Sequence, residues 1–301
     1  MNELTVDAII SYVNPSDKLW ASDYSKATGN YNVTGPRFRS WGTLKYLFRA
    51  IAENMPFVNN VVLIVARESQ VPDWVNKENV RVVYHKDFIP KEFLPTFNSC
   101  TIESFFWNIP NLSEKIIYFN DDMFATNPLT IEDFFTKDAP HLYFGNPEGY
   151  SKKNIFRCQC RTGMDMICNV LSIPTFEPNV IIKPPHVASP ITRESLIKVH
   201  ELCEKHIKNS VSMLRKPSNV NQYIYSYYQY FTNNYVCASP AFAYFEIKES
   251  TIAKIEDAIL SKDYQLVCIN DSGKLRDYKQ LSYQLQECFE SKFPNQCKYE
   301  F

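Results

Sequence analysis

The segment Lys115-Ile116-Ile117-Tyr118-Phe119-Asn120-Asp121-Asp122 joins an apolar run directly to two acidic residues. A short run rich in β-branched and aromatic residues that ends at turn-forming residues is typical of a buried parallel strand. Residues 6–13 and 61–66 have the same character, and each is followed by polar residues. A fourth strand is predicted over residues 265–269, directly before Asn270-Asp271. These segments predict a buried, mostly parallel sheet.

Helical patterns separate the predicted strands. Leu44, Leu47 and Ile51 fall on one face of a helix that has to end before Pro56. Helices are predicted over residues 40–54, 99–107, 192–210 and the tyrosine-rich 221–233. Alternating strands and helices predict an α/β fold with a doubly wound sheet, which binds ligands beyond the carboxyl ends of its strands.

The chain is expected to form one catalytic domain in three parts. Residues 1–145 are expected to form an α/β part, and residues 146–240 a mostly helical insertion. Residues 241–301 return to the α/β core. Within the insertion, residues 150–185 contain four prolines and are expected to be irregular. The expected architecture is Rossmann-like or GT-A-like.

Composition narrows the class of protein. The 301 residues are 45% hydrophobic and 22% charged, which indicates a folded, soluble chain with a sizeable core. A net charge of −1 provides no basic field, so we expect no nucleic-acid binding. The sequence lacks the ~20-residue apolar run of a membrane span, and its N-terminus does not resemble a signal peptide. Nine scattered cysteines indicate free thiols and a cytoplasmic location.

The adjacent carboxylates of Asp121 and Asp122 are the sharpest chemical feature. Hard oxygen ligands suit Mg²⁺ or Mn²⁺, which bridges readily to a diphosphate. The residues alone leave open that the pair merely caps the next turn. Asn270 and Asp271 repeat the arrangement after a distant strand and are expected to complete the same site. With only seven glycines, the chain has no glycine-rich phosphate loop.

Basic and imidazole side chains offer further chemistry. Arg37, Arg39 and Arg215 carry guanidinium groups that match phosphate geometry, although simple surface roles stay open for all three. His186 follows two prolines in a stiff loop, which can present an imidazole as a general base or simply expose it to solvent.

Four blocks, in order and over nearly the whole chain, resemble the Stealth family of sugar-1-phosphate transferases. That family includes bacterial capsular polysaccharide phosphotransferases and the catalytic part of the lysosomal-enzyme GlcNAc-1-phosphotransferase. The blocks are residues 7–17, residues 37–124, Pro185-His186 with Arg215 downstream, and residues 267–271. The chain departs from the family pattern at Asn14-Pro15, at Ser40 and at Cys100.

The resemblance implies transfer of a hexose-1-phosphate from a UDP-sugar to a sugar hydroxyl, with release of UMP, in capsule or cell-surface polysaccharide synthesis. It implies catalytic roles for His186, Arg215 and Asp122. Residues 1–145 would then be the nucleotide- and metal-binding part, and the insertion 146–240 would carry the catalytic histidine and arginine. Mg²⁺ or Mn²⁺ would be held by Asp121, Asp122, Asn270 and Asp271. The expected substrate-binding residues are Asp7, Asn14, Asp17, Arg37, Arg39, Asn98, Ser99 and Glu103.

Two alternative functions stay open at this point. An ordinary metal-dependent glycosyltransferase would use the same acidic pair and release UDP, and a non-catalytic carbohydrate-binding protein could share the fold. The expected partners are a UDP-hexose donor and a saccharide acceptor, at the inner face of the bacterial membrane or free in the cytoplasm. The sequence leaves open the donor hexose, the acceptor, the oligomeric state and peripheral membrane attachment.

Overall fold

The computed structural model describes residues 5–30, 35, 38–174, 177, 179–271, 273 and 275–301. Arg37, one of the predicted substrate-binding residues, lies outside them. The strands are β1 (Val6–Ser11), β2 (Asn60–Val65), β3 (Val80–Tyr84), β4 (Lys115–Asn120), β5 (Met123–Ala125), β6 (Phe135–Thr136), β7 (Ala139–Pro140), β8 (Glu148–Gly149), β9 (Val180–Ile181), β10 (Ser189–Thr192), β11 (Phe242–Glu246) and β12 (Leu266–Asn270). The α-helices are α1 (Lys18–Thr28), α2 (Leu44–Asn54), α3 (His85–Phe88), α4 (Ser99–Glu103), α5 (Ile155–Val170), α6 (Arg193–Ser210), α7 (Tyr223–Phe231), α8 (Ile252–Leu260) and α9 (Tyr278–Lys292).

The central sheet has five strands in the order β10-β4-β1-β2-β3. All neighbours run parallel except β10, which pairs antiparallel with β4. A smaller sheet has the order β11-β12-β5, in which β12 runs parallel to β11 and antiparallel to β5. This architecture confirms the predicted α/β class with a mostly parallel sheet.

Both faces of the central sheet are buried. Successive side chains of a strand point to opposite faces, so neighbouring residues belong to different cores. Ala8 and Ile10 of β1 belong to the hydrophobic core that also contains residues of α2, α8 and α9. Ile9, between them, belongs to the opposite core, which is formed with α5, α6 and α7. Covering on both faces explains why the strand sequences are apolar throughout.

The segment 146–240 supplies the helices of one face and also the edge strand β10. Helices α5, α6 and α7 pack against one another, and their buried residues share a core with the sheet. The division of the chain into three parts stays a prediction.

Helix α5 corrects the expectation that residues 150–185 are irregular. It spans Ile155–Val170, and the side chain of Asn154 caps it by accepting a hydrogen bond from the Arg157 backbone N–H at 3.0 Å. Its buried face consists of Cys158, Cys160, Met164 and similar small or flexible residues. That composition hides the helical period, and the helix ends before the first proline of the segment.

The other predicted helices are confirmed with shorter bounds. The first begins at Leu44 instead of residue 40, and the helix predicted over 99–107 is α4 followed by a separate 3₁₀ turn at Phe106–Asn108. Residues 192–210 and 221–233 contain α6 and α7. All nine cysteines are free thiols, as expected. Among the residues described, no helix combines the length and the apolar character needed to cross a bilayer.

Candidate active site

A cavity of about 950 Å³ opens at the carboxyl edge of the central sheet. Ser11 at the end of β1 pairs with Asn120 at the end of β4, so the residues that follow both strands reach the same rim. The wall includes polar side chains that come from distant parts of the chain, namely Tyr12, Arg39, Ser99, Glu103, Asn120, Asp121, Asp122, Lys183, His186, Arg215, Tyr223, Asn270 and Asp271. The volume lies at the upper end of the range for ligand pockets and suits a large polar ligand.

Asp121 and Asp122 form the two-residue connection between β4 and β5. One carboxylate oxygen of Asp122, Oδ1, is buried without a hydrogen-bond partner. Burial raises the pKa of Asp121 to about 7, and the neighbouring Asp122 charge adds to the rise. Burial likewise raises the pKa of Asp122 to about 6. The Arg215 charge opposes the rise in the pKa of Asp122 without cancelling it, and a divalent ion would supply further positive charge at this pair.

Asn270 lies next to this acidic pair. In the antiparallel pairing of β12 with β5, Cys268 is opposite Met123, and the Ile269 backbone N–H donates to the Asp122 carbonyl oxygen at 2.9 Å. The next residue along β12, Asn270, therefore runs alongside Asp121. Two carboxylates and an amide oxygen form a donor set that fits Mg²⁺ or Mn²⁺.

Asp271, which the sequence predicted as a metal ligand, is paired with Arg39. Its two carboxylate oxygens accept hydrogen bonds from Arg39, from Nε at 2.7 Å and from Nη2 at 2.6 Å, and Trp41 Nε1 donates to it at 3.0 Å. The Arg39 guanidinium also packs over the ring of Tyr278. We therefore correct both assignments: Asp271 is not a free metal ligand, and Arg39 is not a free phosphate ligand, because each neutralises the other.

His186 faces the cavity beside the acidic pair. Its Nδ1 lies 3.2 Å from the hydroxyl oxygen of Tyr223, and its Nε2 lies 3.4 Å from Nδ2 of Asn120. Burial lowers the pKa of His186 to about 4, and the positive charges of Arg215 and Lys183 add to this shift. The imidazole is therefore neutral at pH 7 and has a lone pair available to accept a proton.

Arg215 lines the same cavity and is exposed to solvent. Its Nη2 donates to the Ser99 hydroxyl at 2.6 Å. Behind them, the buried carboxylate of Glu103 accepts hydrogen bonds from the Gln222 backbone N–H at 2.8 Å and from the Tyr118 hydroxyl at 3.3 Å. Burial raises the pKa of Glu103, while the Arg215 charge opposes the rise. Ser99 and Glu103 thus lie at the cavity, where they can orient Arg215.

Asp7 lies far from this rim. It is the second residue of β1 and so belongs to the amino edge of the sheet, opposite the cavity. Its buried carboxylate accepts hydrogen bonds from Asn60 Nδ2 at 2.8 Å and from the Ser113 backbone N–H at 2.9 Å. The assignment of Asp7 to substrate binding is therefore corrected to a structural role.

Asn14, Asp17 and Asn98 likewise hold the fold, and none of the three forms part of the cavity wall. The Asn14 backbone exchanges two hydrogen bonds with the Gln70 side chain, at 2.9 Å each. Asp17 caps α1 by accepting from Leu19 N–H. Asn98 caps α4, and its buried amide donates to Ser212 and Asn219. Short polar residues after strands are favoured as caps for the same reasons that make them candidate ligands.

Sequence reasoning missed three residues of the site. Tyr223, which contacts His186, lies in the tyrosine-rich segment for which the sequence predicts only a helix. Lys183 lines the cavity, and its positive charge lowers the pKa of His186. Cys268 is hidden in an apolar strand, yet ligand atoms of Asp122, His186 and Cys268 all lie within 4.8 Å of one another. No local sequence pattern marks Cys268, because its partners come from other strands and loops.

Comparison with known proteins finds similar polysaccharide phosphotransferases. Residues 37–142 match the family profile described as Stealth protein CR2, conserved region 2. The chain is 26% identical to the capsular polysaccharide phosphotransferase WcwK of Streptococcus pneumoniae, over 98% of both chains. It is 29% identical to the exopolysaccharide phosphotransferase cps2G of Lactiplantibacillus plantarum, over 98% of this chain and 96% of that protein. The profile match and these full-length relatives support a Stealth family phosphotransferase.

Two further comparisons concern a longer relative and a solved structure. The exopolysaccharide phosphotransferase SCO6023 of Streptomyces coelicolor is 31% identical over 89% of this chain and 47% of that longer protein. Among solved structures, an active-site mutant of LgtC superposes at a TM-score of 0.36 and 11% identity, covering 93% of this chain and 95% of that chain. The superposition is too loose to carry an argument, whereas the full-length relatives support a transferase of polysaccharide synthesis.

Proposed function

We propose that the protein transfers a hexose-1-phosphate from a UDP-sugar to a saccharide hydroxyl, forming a phosphodiester and releasing UMP, in capsule or cell-surface polysaccharide synthesis. One observation carries the proposal. A neutral histidine, an uncompensated acidic pair and a fixed arginine meet in one cavity, in a chain whose full-length relatives are named polysaccharide phosphotransferases.

The acidic residues would hold the metal ion. Asp121, Asp122 and Asn270 supply hard oxygen donors, and the unpartnered Oδ1 of Asp122 is free to coordinate. A bound Mg²⁺ or Mn²⁺ would neutralise charge on the donor diphosphate.

Arg215 supplies the remaining positive charge for the phosphate being attacked. Its contact with Ser99 Oγ fixes the guanidinium while other N–H groups stay available to phosphate oxygens. In phosphoryl transfer, positioning and charge neutralisation supply most of the catalysis, so a preorganised arginine is more effective than a mobile one.

His186 accepts the proton of the attacking hydroxyl. The acceptor oxygen forms a bond to the β-phosphorus, and the bond from that phosphorus to the bridging oxygen breaks, so UMP leaves with the bridging oxygen. The hydroxyl proton moves to Nε2 of His186, whose ring is oriented by Tyr223 at Nδ1. A neutral imidazole is required for this step, in agreement with its lowered pKa.

The proposed setting is the bacterial cytoplasm, at or near the inner face of the membrane, where nucleotide-sugar donors and growing saccharides meet. Nine free thiols are consistent with a reducing compartment.

The experiment that tests the proposal is a donor screen. Purified protein is incubated with individual UDP-hexoses, saccharide acceptors and Mg²⁺, and the released nucleotide is identified by chromatography. UMP with at least one donor supports the proposal. UDP would instead identify a glycosyltransferase, and no metal-dependent turnover with any donor and acceptor would favour a non-catalytic carbohydrate-binding protein.

A further inference from the structure

Cys268 lies directly behind the wall formed by Asp122 and His186. It belongs to β12 and its side chain is fully buried, while the other two residues face the cavity. A carboxylate oxygen, an imidazole nitrogen and a sulfur, one from each residue, lie within 4.8 Å of one another. With bonds of about 2.0–2.3 Å, tetrahedral Zn²⁺ needs donors roughly 3.5 Å apart, so a shift of about 1 Å would close the site.

The three donors differ in kind from the all-oxygen set of the acidic pair. Mg²⁺ avoids sulfur, whereas thiolate and imidazole together select Zn²⁺ and related transition metals. Asp122 contributes Oδ1, a buried carboxylate oxygen that accepts no hydrogen bond from the described residues. Tyr223, at Nδ1 of His186, provides the kind of outer contact that orients a histidine ligand.

We propose that Asp122, His186 and Cys268 form a binding site for a thiophilic transition-metal ion such as Zn²⁺, and that occupation of this site blocks the active centre. Binding replaces the S–H bond of Cys268 by an S–Zn bond and releases one proton to solvent. The bound ion takes the lone pair of His186 and draws Asp122 away from the catalytic cation. The blocking effect rests on the proposed function, whereas metal binding itself does not.

Binding is tested with Co²⁺ as an optical probe of the purified protein. A cysteine ligand produces a thiolate-to-cobalt charge-transfer band in the near ultraviolet, and tetrahedral coordination produces intense visible bands. The wild type should show both, and Zn²⁺ should abolish them by displacement. Cys268→Ser should lose the charge-transfer band, while Cys288→Ser, a buried cysteine on α9 outside the cavity wall, should retain it.

A second measurement keeps the test decisive if Cys268→Ser does not fold. Calorimetry should show that His186→Gln weakens Zn²⁺ binding by roughly 100-fold or more, since even outer contacts are worth 10–100-fold in metal affinity. A wild-type Co²⁺ complex without a thiolate band, or unchanged Zn²⁺ affinity in His186→Gln, would overturn the proposed site.

The activity arm separates this inference from the proposed function. With Mg²⁺ in large excess, Zn²⁺ should inhibit UMP release by the wild type and by Cys288→Ser, and inhibition should weaken at least tenfold in a folded Cys268→Ser. Zn²⁺ binding that leaves turnover unchanged would overturn the blocking effect. Co²⁺ binding with a thiolate band but no turnover with any donor would contradict the phosphotransferase function and leave the site intact.

Discussion

Two acidic strand ends look alike in the sequence and differ in the structure. Asp121-Asp122 follows Asn120 at the end of β4, Asp271 follows Asn270 at the end of β12, and both segments reach the same cavity. Asp122 has a buried oxygen without a partner, whereas Asp271 is held by Arg39 through two short hydrogen bonds. A carboxylate that the protein leaves uncompensated is available to a ligand, and one that is already paired stabilises the structure. The predictions below test this distinction.

The largest effect is expected for Asp122→Asn. Removing a ligand of the proposed metal site should reduce kcat roughly 10⁴-fold, because a catalytic metal ion supplies several kcal/mol of transition-state stabilisation. The free energy of unfolding should not fall, since the lost carboxylate has an unpartnered buried oxygen. Initial rates of UMP release and denaturant unfolding measure the two quantities. A variant with wild-type kcat would remove Asp122 from the metal site.

His186→Gln should reduce kcat by about 10³-fold, within the range for loss of a general base. Mg²⁺ should still raise the melting temperature of this variant, because Asp121, Asp122 and Asn270 are unchanged. Rates and Mg²⁺-dependent melting curves provide the check. Full activity in His186→Gln would reject the role of this residue as the base.

Asp271→Asn is the matched control for Asp122→Asn. It should lower the free energy of unfolding by about 2 kcal/mol, less than for a fully buried ion pair because both side chains retain slight exposure. Its effect on kcat should be far smaller than that of Asp122→Asn, and Arg39→Lys should show the same pattern. If Asp271→Asn instead abolished Mg²⁺ binding at unchanged stability, the distinction between the two strand ends would be wrong.

The smallest effect concerns pH. The pKa values of about 7 for Asp121 and about 6 for Asp122 mean that protons compete with Mg²⁺ in this range. Activity should fall as pH drops from 7 to 6. A tenfold rise in Mg²⁺ concentration should shift this fall in activity to a pH lower by up to about one unit. If the pH at which activity falls did not depend on the Mg²⁺ concentration, competition between protons and Mg²⁺ would be contradicted.

The same shifts fix the sign of the stability change in the metal-free protein. The folded state holds protons on these carboxyls more tightly than the unfolded chain, whose carboxyls titrate near pH 4. Stability without metal should therefore fall as pH rises from about 4 towards 7, and added Mg²⁺ should offset the loss.

Much of the fold was predictable from local patterns. The four apolar runs gave β1, β2, β4 and β12, because strands covered on both faces are apolar throughout. Strand β10 was missed, since it is short and Pro190 within it is untypical of a strand. Proline is tolerated there because β10 lies at the edge of the sheet.

The site was predictable where chemistry is local and unpredictable where it depends on pairing. The acidic pair and His186 stand out in short segments and meet in the cavity. The bond between Arg39 and Asp271 joins residues 232 positions apart, and no local pattern reports it. Asp7 was misassigned because its role was taken from the family resemblance, although the strand predicted over residues 6–13 already placed it at the amino end.

The central account is tested most directly by following phosphorus. ³¹P NMR of a reaction with a productive UDP-hexose, a saccharide acceptor and Mg²⁺ should show the diphosphate signals of the donor replaced by one phosphodiester and one UMP signal in equal amounts, and Asp122→Asn should show neither. Accumulation of UDP with no phosphodiester would show that the anomeric carbon, not phosphorus, is attacked, and would contradict the account.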